Sequence, residues 1–100
     1  MDIRKELEVV RRTGKVIVGG RQVYLSALNR KAKLVILARN CPEDFRRRIK
    51  VIARINNIKI IDSEIEGREV GLALGKPFST TAVAVIDPGS SSLVGEEGVE

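Results

Sequence analysis

Four short runs in the chain carry almost no polar side chains: Val16 to Val18, Leu34 to Ala38, Ile58 to Ile61 and Ala82 to Ile86. A strand with one face in water alternates apolar and polar residues, so runs without alternation predict strands covered on both sides. The stretches between them repeat their apolar residues at helical spacing. Helices alternating with such strands predict an α/β protein: a three-layer α/β/α sandwich around a small, mostly four-stranded mixed sheet. One hundred residues supply one core and are too few for two. Residues 1–100 are therefore expected to form a single domain.

The helix boundaries are written in short polar residues and glycines. Asp2 is placed to cap a first helix with Ile3, Leu7 and Val10 inward, and Gly14 stands where a left-handed C-terminal cap is expected. Val23, Tyr24, Ala27 and Leu28 give the second helix its apolar stripe, with Tyr24 assigned to the core, and Asn29-Arg30-Lys31 closes it. Asn40-Cys41-Pro42-Glu43-Asp44 reads as a third helix start, with Asn40 or Cys41 as cap and two carboxylates at the positive helix end. That helix turns Phe45, Ile49, Ile52 and Ala53 inward and ends at Asn56-Asn57. Its cations Arg46, Arg47, Arg48 and Lys50 read as a solvated face. A fourth helix is expected from about Gly67 to Leu74, with Gly71 packed closely on the sheet and Gly75 as its C-terminal cap. Asp87-Pro88-Gly89 turns the chain out, and a flexible tail is expected from about residue 95.

Composition narrows the chemistry. There is no histidine and one cysteine, Cys41, so a disulfide within the chain and the usual zinc set are excluded. Ser/His/Asp and Cys/His nucleophile arrangements go with them, and no enzyme and no cofactor are expected. Asp62, Glu64 and Glu66 lack a fourth partner, so no metal is expected there either. No apolar run approaches the roughly 18 residues of a membrane span, and Met1 to Glu6 lacks the apolar core of a secretory signal. The expected setting is cytoplasmic. Charge is unevenly distributed: residues 1–50 hold 14 Lys/Arg against 5 Asp/Glu, a balance of +9, and residues 51–100 hold 4 against 8, a balance of −4. One end or face is expected to be basic, as suits a polyanion whose bound counterions are released on contact.

The junction after the first strand, Gly19-Gly20-Arg21-Gln22, concentrates what an anion site needs. Glycines let a ligand approach the backbone, a helix first turn offers free N–H groups, and Arg21 brings a fork of donors suited to phosphate or guanine. A tight strand-to-helix turn in any small α/β domain reads the same way. In an α/β sheet functional loops gather beyond the strand ends, so Gly19 to Gln22, Arg39-Asn40-Cys41 and Gly75-Lys76-Pro77-Phe78 are expected to converge. Together they can hold a phosphate backbone, bond base edges and stack on an unpaired base. A small nucleotide-binding enzyme or regulatory domain is the competing use. Its fingerprints are missing: there is no G-x-G-x-x-G after the first strand and no G-x-x-x-x-G-K-[ST].

Over nearly its whole length the sequence resembles the L-thirty family of archaeal and eukaryotic large-subunit ribosomal proteins, in the superfamily that binds kink-turn RNA. The likeness is carried by Thr13-Gly14-Lys15, by Gly19-Gly20-Arg21, and by the run from Ala32 through Leu34-Val35-Ile36-Leu37-Ala38-Arg39-Asn40-Cys41-Pro42. It continues in Gly71-Leu72-Ala73-Leu74-Gly75-Lys76-Pro77-Phe78 and Val85-Ile86-Asp87-Pro88-Gly89. The resemblance implies a non-catalytic domain of the large ribosomal subunit, monomeric when free, bound to a bent, purine-rich internal loop of ribosomal RNA. It implies an RNA surface that includes Gly19, Gly20, Arg21, Asn40 and Phe78; their loop neighbours Gln22, Arg39, Lys76 and Pro77 are expected to join it, with Lys33 as a further phosphate contact. One position departs from the family pattern: relatives often carry a lysine one turn after the first-loop cation, where Leu25 stands here.

Overall fold

The computed structural model describes residues 2–91, so the expectation of a flexible tail from about residue 95 falls outside the described residues. Four helices and four strands alternate: α1 (Ile3–Thr13), β1 (Lys15–Val18), α2 (Gly20–Leu28), β2 (Leu34–Leu37), α3 (Glu43–Asn56), β3 (Lys59–Asp62), α4 (Gly67–Ala73) and β4 (Ala82–Asp87). The strands form one mixed sheet in the order β1-β4-β2-β3. β4 lies antiparallel to both β1 and β2, and β2 is parallel to β3.

Alternate residues of the central strands feed two separate cores, because successive side chains in a strand point to opposite faces. Leu34, Ile36, Val83 and Val85 pack with Leu7 and Val10 of α1 and Val70 and Ala73 of α4. Val35, Leu37, Ala82 and Ala84 pack with Val23 and Ala27 of α2 and Ile49 and Ala53 of α3. The sandwich inferred from unalternating strands is the observed one. One strand departs from the expectation of cover on both sides. β4 returns between β1 and β2, so β1 is an edge strand, with Val16, Ile17 and Val18 half-buried and Lys15 exposed.

Several local expectations change once distant partners are in place. Asp2 caps α1 as expected, its Oδ1 accepting from Arg4 N at 3.0 Å. Gly14, however, is extended at φ −125° rather than left-handed, and it is a close-approach glycine: a Cβ there would lie 2.2 Å from the Asp87 carbonyl oxygen. Pro42, with no side-chain bond, occupies the cap position of α3 in place of Asn40 or Cys41. Leu28 lies at the outer edge of the α2 stripe and is 46% exposed, and Tyr24 is half-buried against the second core. The α3 cations are not simply solvated. Arg46 pairs with Glu43 and Asp62 and donates toward the carbonyls of Ala38, Arg39 and Cys41, Lys50 pairs with Asp62 at 2.7 Å, and the Arg48 guanidinium lies 5.9 Å from the centre of the Tyr24 ring.

Helix α4 ends at Ala73 with Leu74 as its cap residue. Gly75 takes φ +71°, and the N–H groups of Gly75 and Lys76 donate back to the Leu72 and Gly71 carbonyls, a Schellman closure that reverses the chain. The following residues run back along α4. Gly71 therefore packs against this returning segment, not the sheet, for a Cβ would stand 2.1 Å from the Phe78 carbonyl oxygen.

Candidate nucleic-acid interface

The strand registers define two ends of the sheet. Val18 pairs with Val83, Leu37 with Ala82 and also with Asp62, so β1, β2 and β3 end where β4 begins. Call this the upper rim. The β1–α2, β2–α3 and β3–α4 connectors meet there, so Gly19 to Gln22 and Arg39 to Cys41 share one end of the molecule. The third selected loop does not lie wholly with them. Gly75 and Lys76 turn at the far end of α4, with Gly75 against Arg11 of the last turn of α1, Phe78 lies partway back along α4, and only Ser79 and Thr80 reach the rim. All four helices also start on this side and run toward the lower rim.

A small buried network holds the connectors in register. Thr80 is buried, and its Oγ1 accepts from Gly19 N at 3.2 Å and donates to the Ala82 carbonyl at 2.9 Å. Its backbone N–H donates to the Gly67 carbonyl, while Gly67 N donates to Asn40 Oδ1 at 3.0 Å. One chain of hydrogen bonds thus joins the first connector to the third, and the third to the second through the start of α4. Asn40 does serve a helix start, but that of α4. β2 and β3 are adjacent and parallel, so the connector after β3 comes to rest beside the one after β2. Thr80 carries no signal in the sequence, since the partners that make it a tie, Gly19 and Gly67, are 61 and 13 residues away.

Around this network the backbone is bare. Gly19 takes φ +97°, and a Cβ at that position would meet nothing within 4 Å, so the glycine serves conformation and leaves open space above it. The first α2 bond runs from Val23 N to Gly19 O, which leaves the N–H groups of Gly20, Arg21 and Gln22 without an intrahelical acceptor. Arg21 and Gln22 are exposed on this first turn. Arg21 and Gly20 line a cleft of about 380 Å³ with Tyr24, Leu25, Phe45 and Arg48. Arg39 is exposed and pairs with Glu66 at 3.1 Å.

Phe78 is 54% exposed, unlike the core position a lone phenylalanine usually takes. It sits level with Gly71, about one turn below the start of α4, in a groove shared with Arg68, Leu72, Lys76, Pro77 and Ser79. Lys76 is half-buried and Pro77 exposed. Sequence reasoning missed Arg68 and Leu72, whose place beside Phe78 follows only from the chain reversal at Gly75. Cys41 is buried at this rim, where burial pushes its thiol up and the Arg46 guanidinium partly offsets the rise. Of the three carboxylates weighed as cation ligands, Asp62 is held by Arg46 and Lys50, and Glu66 by Arg39.

Lys33 is not among the residues brought together. It immediately precedes β2, its N–H donates to the Val85 carbonyl at 2.8 Å, and it belongs to the lower rim. The four residues of β2 separate it from Asn40's end of the sheet by roughly 13 Å.

A fold search and a sequence comparison agree with this architecture. A solved structure from Bacillus halodurans, described as a protein with unknown function, superposes with a TM-score of 0.76 over 97% of both chains at 20% identity, a likeness of fold. Three archaeal proteins named large ribosomal subunit protein eL30 align over 94% of this chain. The one from Methanocaldococcus jannaschii is 35% identical over 86% of its own length, that from Methanothermobacter thermautotrophicus 36% over 96%, and that from Pyrobaculum calidifontis 38% over 93%. The family model described as ribosomal protein L7Ae/L30e/S12e/Gadd45 matches residues 1–95. With that match spanning every element of the sandwich, the chain belongs to the ribosomal protein L7Ae/L30e/S12e/Gadd45 family.

Proposed function

We propose that this protein is a structural, non-catalytic constituent of the large ribosomal subunit in the cytoplasm, monomeric when free, and that its upper rim binds a kink-turn-type, purine-rich internal loop of ribosomal RNA. The relatives' names support the ribosomal assignment. The observation that carries the RNA reading is the hydrogen-bonded tie through Thr80, Gly67 and Asn40, which fixes three exposed connectors as one surface. A bent RNA presents closely spaced phosphates and unstacked bases, and a pre-formed surface meets them without an ordering cost.

Each group has a distinct task on this reading. Gly19 and Gly20 let the RNA backbone approach, and the free N–H groups of the α2 first turn meet phosphate oxygens. Arg21 makes a bidentate contact to guanine or phosphate. Gln22, Arg39 and Asn40 meet base edges and backbone, and Phe78 with Pro77 forms an apolar platform beside the Lys76 cation. Arg48, resting on Tyr24 beside Leu25, supplies the flank cation that Leu25 does not.

A gel-shift titration with an RNA carrying a kinked internal loop, a straight RNA duplex and a radiolabelled nucleotide tests the reading. Salt-sensitive, preferential binding of the kinked RNA is expected, with the duplex much weaker. Equal affinity for the two RNAs contradicts the proposal, and saturable nucleotide binding in their place favours a small nucleotide enzyme.

A further inference from the structure

We propose that the lower rim is a second nucleic-acid surface, separate from the first, on which Lys15, Lys31 and Lys33 grip the phosphate backbone of a regular RNA duplex. The argument begins with where the charges fall. Ion pairs among the described residues engage Arg4, Arg39, Arg46 and Lys50 with Glu43, Asp62, Glu66 and Glu69. Lys15, Lys31 and Lys33 are exposed and form no ion pair with a described carboxylate. Asp87, the acidic residue nearest them by register, accepts from Gly89 N through Oδ1 at 2.9 Å, and as a carboxylate it offsets one of the three lysines and leaves a local balance of +2.

Sheet register sets the spacing. Lys15 pairs with Asp87 on one side of β4, and Lys33 precedes Leu34, which pairs with Val85 on the other. β1 and β2 flank β4, so the two lysines stand about 10 Å apart across its end. Lys31 lies in the same α2–β2 connector, whose backbone is fastened by Lys31 N and Ala32 N to the Ser26 carbonyl. The C-terminal ends of α1, α2 and α3 also point here, and cations near them are expected. That effect fades within the last helical turn and amounts to about half a charge per helix, less than three lysines beyond the helix ends supply.

The chemistry of the surface selects its partner. Lysines are hydrated point charges without the fork that reads a base. The guanidinium between them, Arg30, is tied through Nε to Asn56 Oδ1, and the exposed aliphatics of this end, Leu28 and Ile55, belong to α2 and α3. Point charges of this kind suit phosphates of a duplex, recognised by shape and backbone. The inference does not depend on the upper-rim reading.

The test uses the full chain, first saturated with the kinked internal-loop RNA and then titrated with a labelled straight RNA duplex of about 16 base pairs. A ternary complex is expected. Replacing Lys15→Gln, Lys31→Gln and Lys33→Gln together is expected to weaken duplex binding at least tenfold at low salt and to reduce its salt slope by about two to three. Affinity for the kinked RNA, measured at about 0.15 M salt where the Debye length of about 8 Å is shorter than the distance between the rims, is expected to stay within twofold. Displacement of the duplex by kinked RNA, or a triple variant that binds the duplex like the parent, overturns the proposal. A polyglutamate peptide that binds this rim as tightly as the duplex overturns it in favour of an acidic protein. Duplex binding that needs the three lysines in a protein without preference for the kinked RNA leaves this inference standing and removes the upper-rim one.

Discussion

The two rims of the sheet differ in how charge and backbone are used. At the upper rim Arg39, Arg46 and Lys50 are paired with Glu66, Glu43 and Asp62, while α2 presents unbonded backbone N–H groups and a glycine with open space above it. At the lower rim the arrangement is inverted. The N–H groups of Gly14, Lys31, Ala32 and Lys33 are consumed in turns and sheet contacts, and Lys15, Lys31 and Lys33 form no ion pair with a described carboxylate. Fixed amides and a fork-shaped guanidinium reward one ligand geometry, whereas long-stemmed lysines reward negative charge in many geometries. On the proposed reading, the upper rim serves specificity and the lower salt-dependent grip.

The sharpest way to break the upper rim alone is Gly71→Ala. Its Cβ would stand 2.1 Å from the Phe78 carbonyl, backbone against backbone, so the returning segment must leave α4. Overpacking of this kind costs about 1–3 kcal/mol, and the displaced Phe78 and Thr80 are expected to remove kinked-RNA binding. Thermal melts and gel shifts check both, with duplex binding at the lower rim retained.

Arg21→Ala comes next, with an expected loss of about 1–3 kcal/mol in kinked-RNA affinity and no change in duplex binding, read from paired titrations. Phe78→Ala is expected to cost up to about 1–3 kcal/mol of RNA binding while leaving the melting temperature close to the parent's, since the ring is more than half exposed. A large fall in melting temperature with unchanged affinity returns Phe78 to the core. The smallest effect belongs to Lys33→Gln, which is expected to lower the salt slope for the duplex by about one and leave the kinked-RNA slope alone. A change in the kinked-RNA slope instead ties Lys33 to the upper rim's ligand.

What the sequence made legible was local. Unalternating strands, the Asp2 cap, the glycine junction before α2 and the reversal at Gly75 each depend on neighbours within a few residues, and each is present. What it concealed was set by distant partners. Gly14 looked like a helix cap because its true constraint, the Asp87 carbonyl, is 73 positions away. Asn40 looked like the cap of α3 because the N–H it accepts lies 27 positions ahead, and Arg46 looked solvated because Asp62 lies 16 ahead. Strand order hides β1 at an edge in the same way, since hydrophobicity reports burial and not neighbours. That connectors meet at the ends of β1, β2 and β3 was readable from the α/β pattern. The residue that ties them, Thr80, was not, because a threonine between a loop and a strand has no signature until both partners are placed.

The account's central claim, that the upper rim receives the bent RNA, is tested most directly by following the backbone amide resonances of the labelled protein during titration with the kinked internal-loop RNA. Gly19, Gly20, Arg21, Asn40 and Phe78 are expected to shift together and saturate at one equivalent, while Lys15, Lys31 and Lys33 stay in place. Largest shifts at the lower rim, or shifts spread evenly over both rims, contradict it.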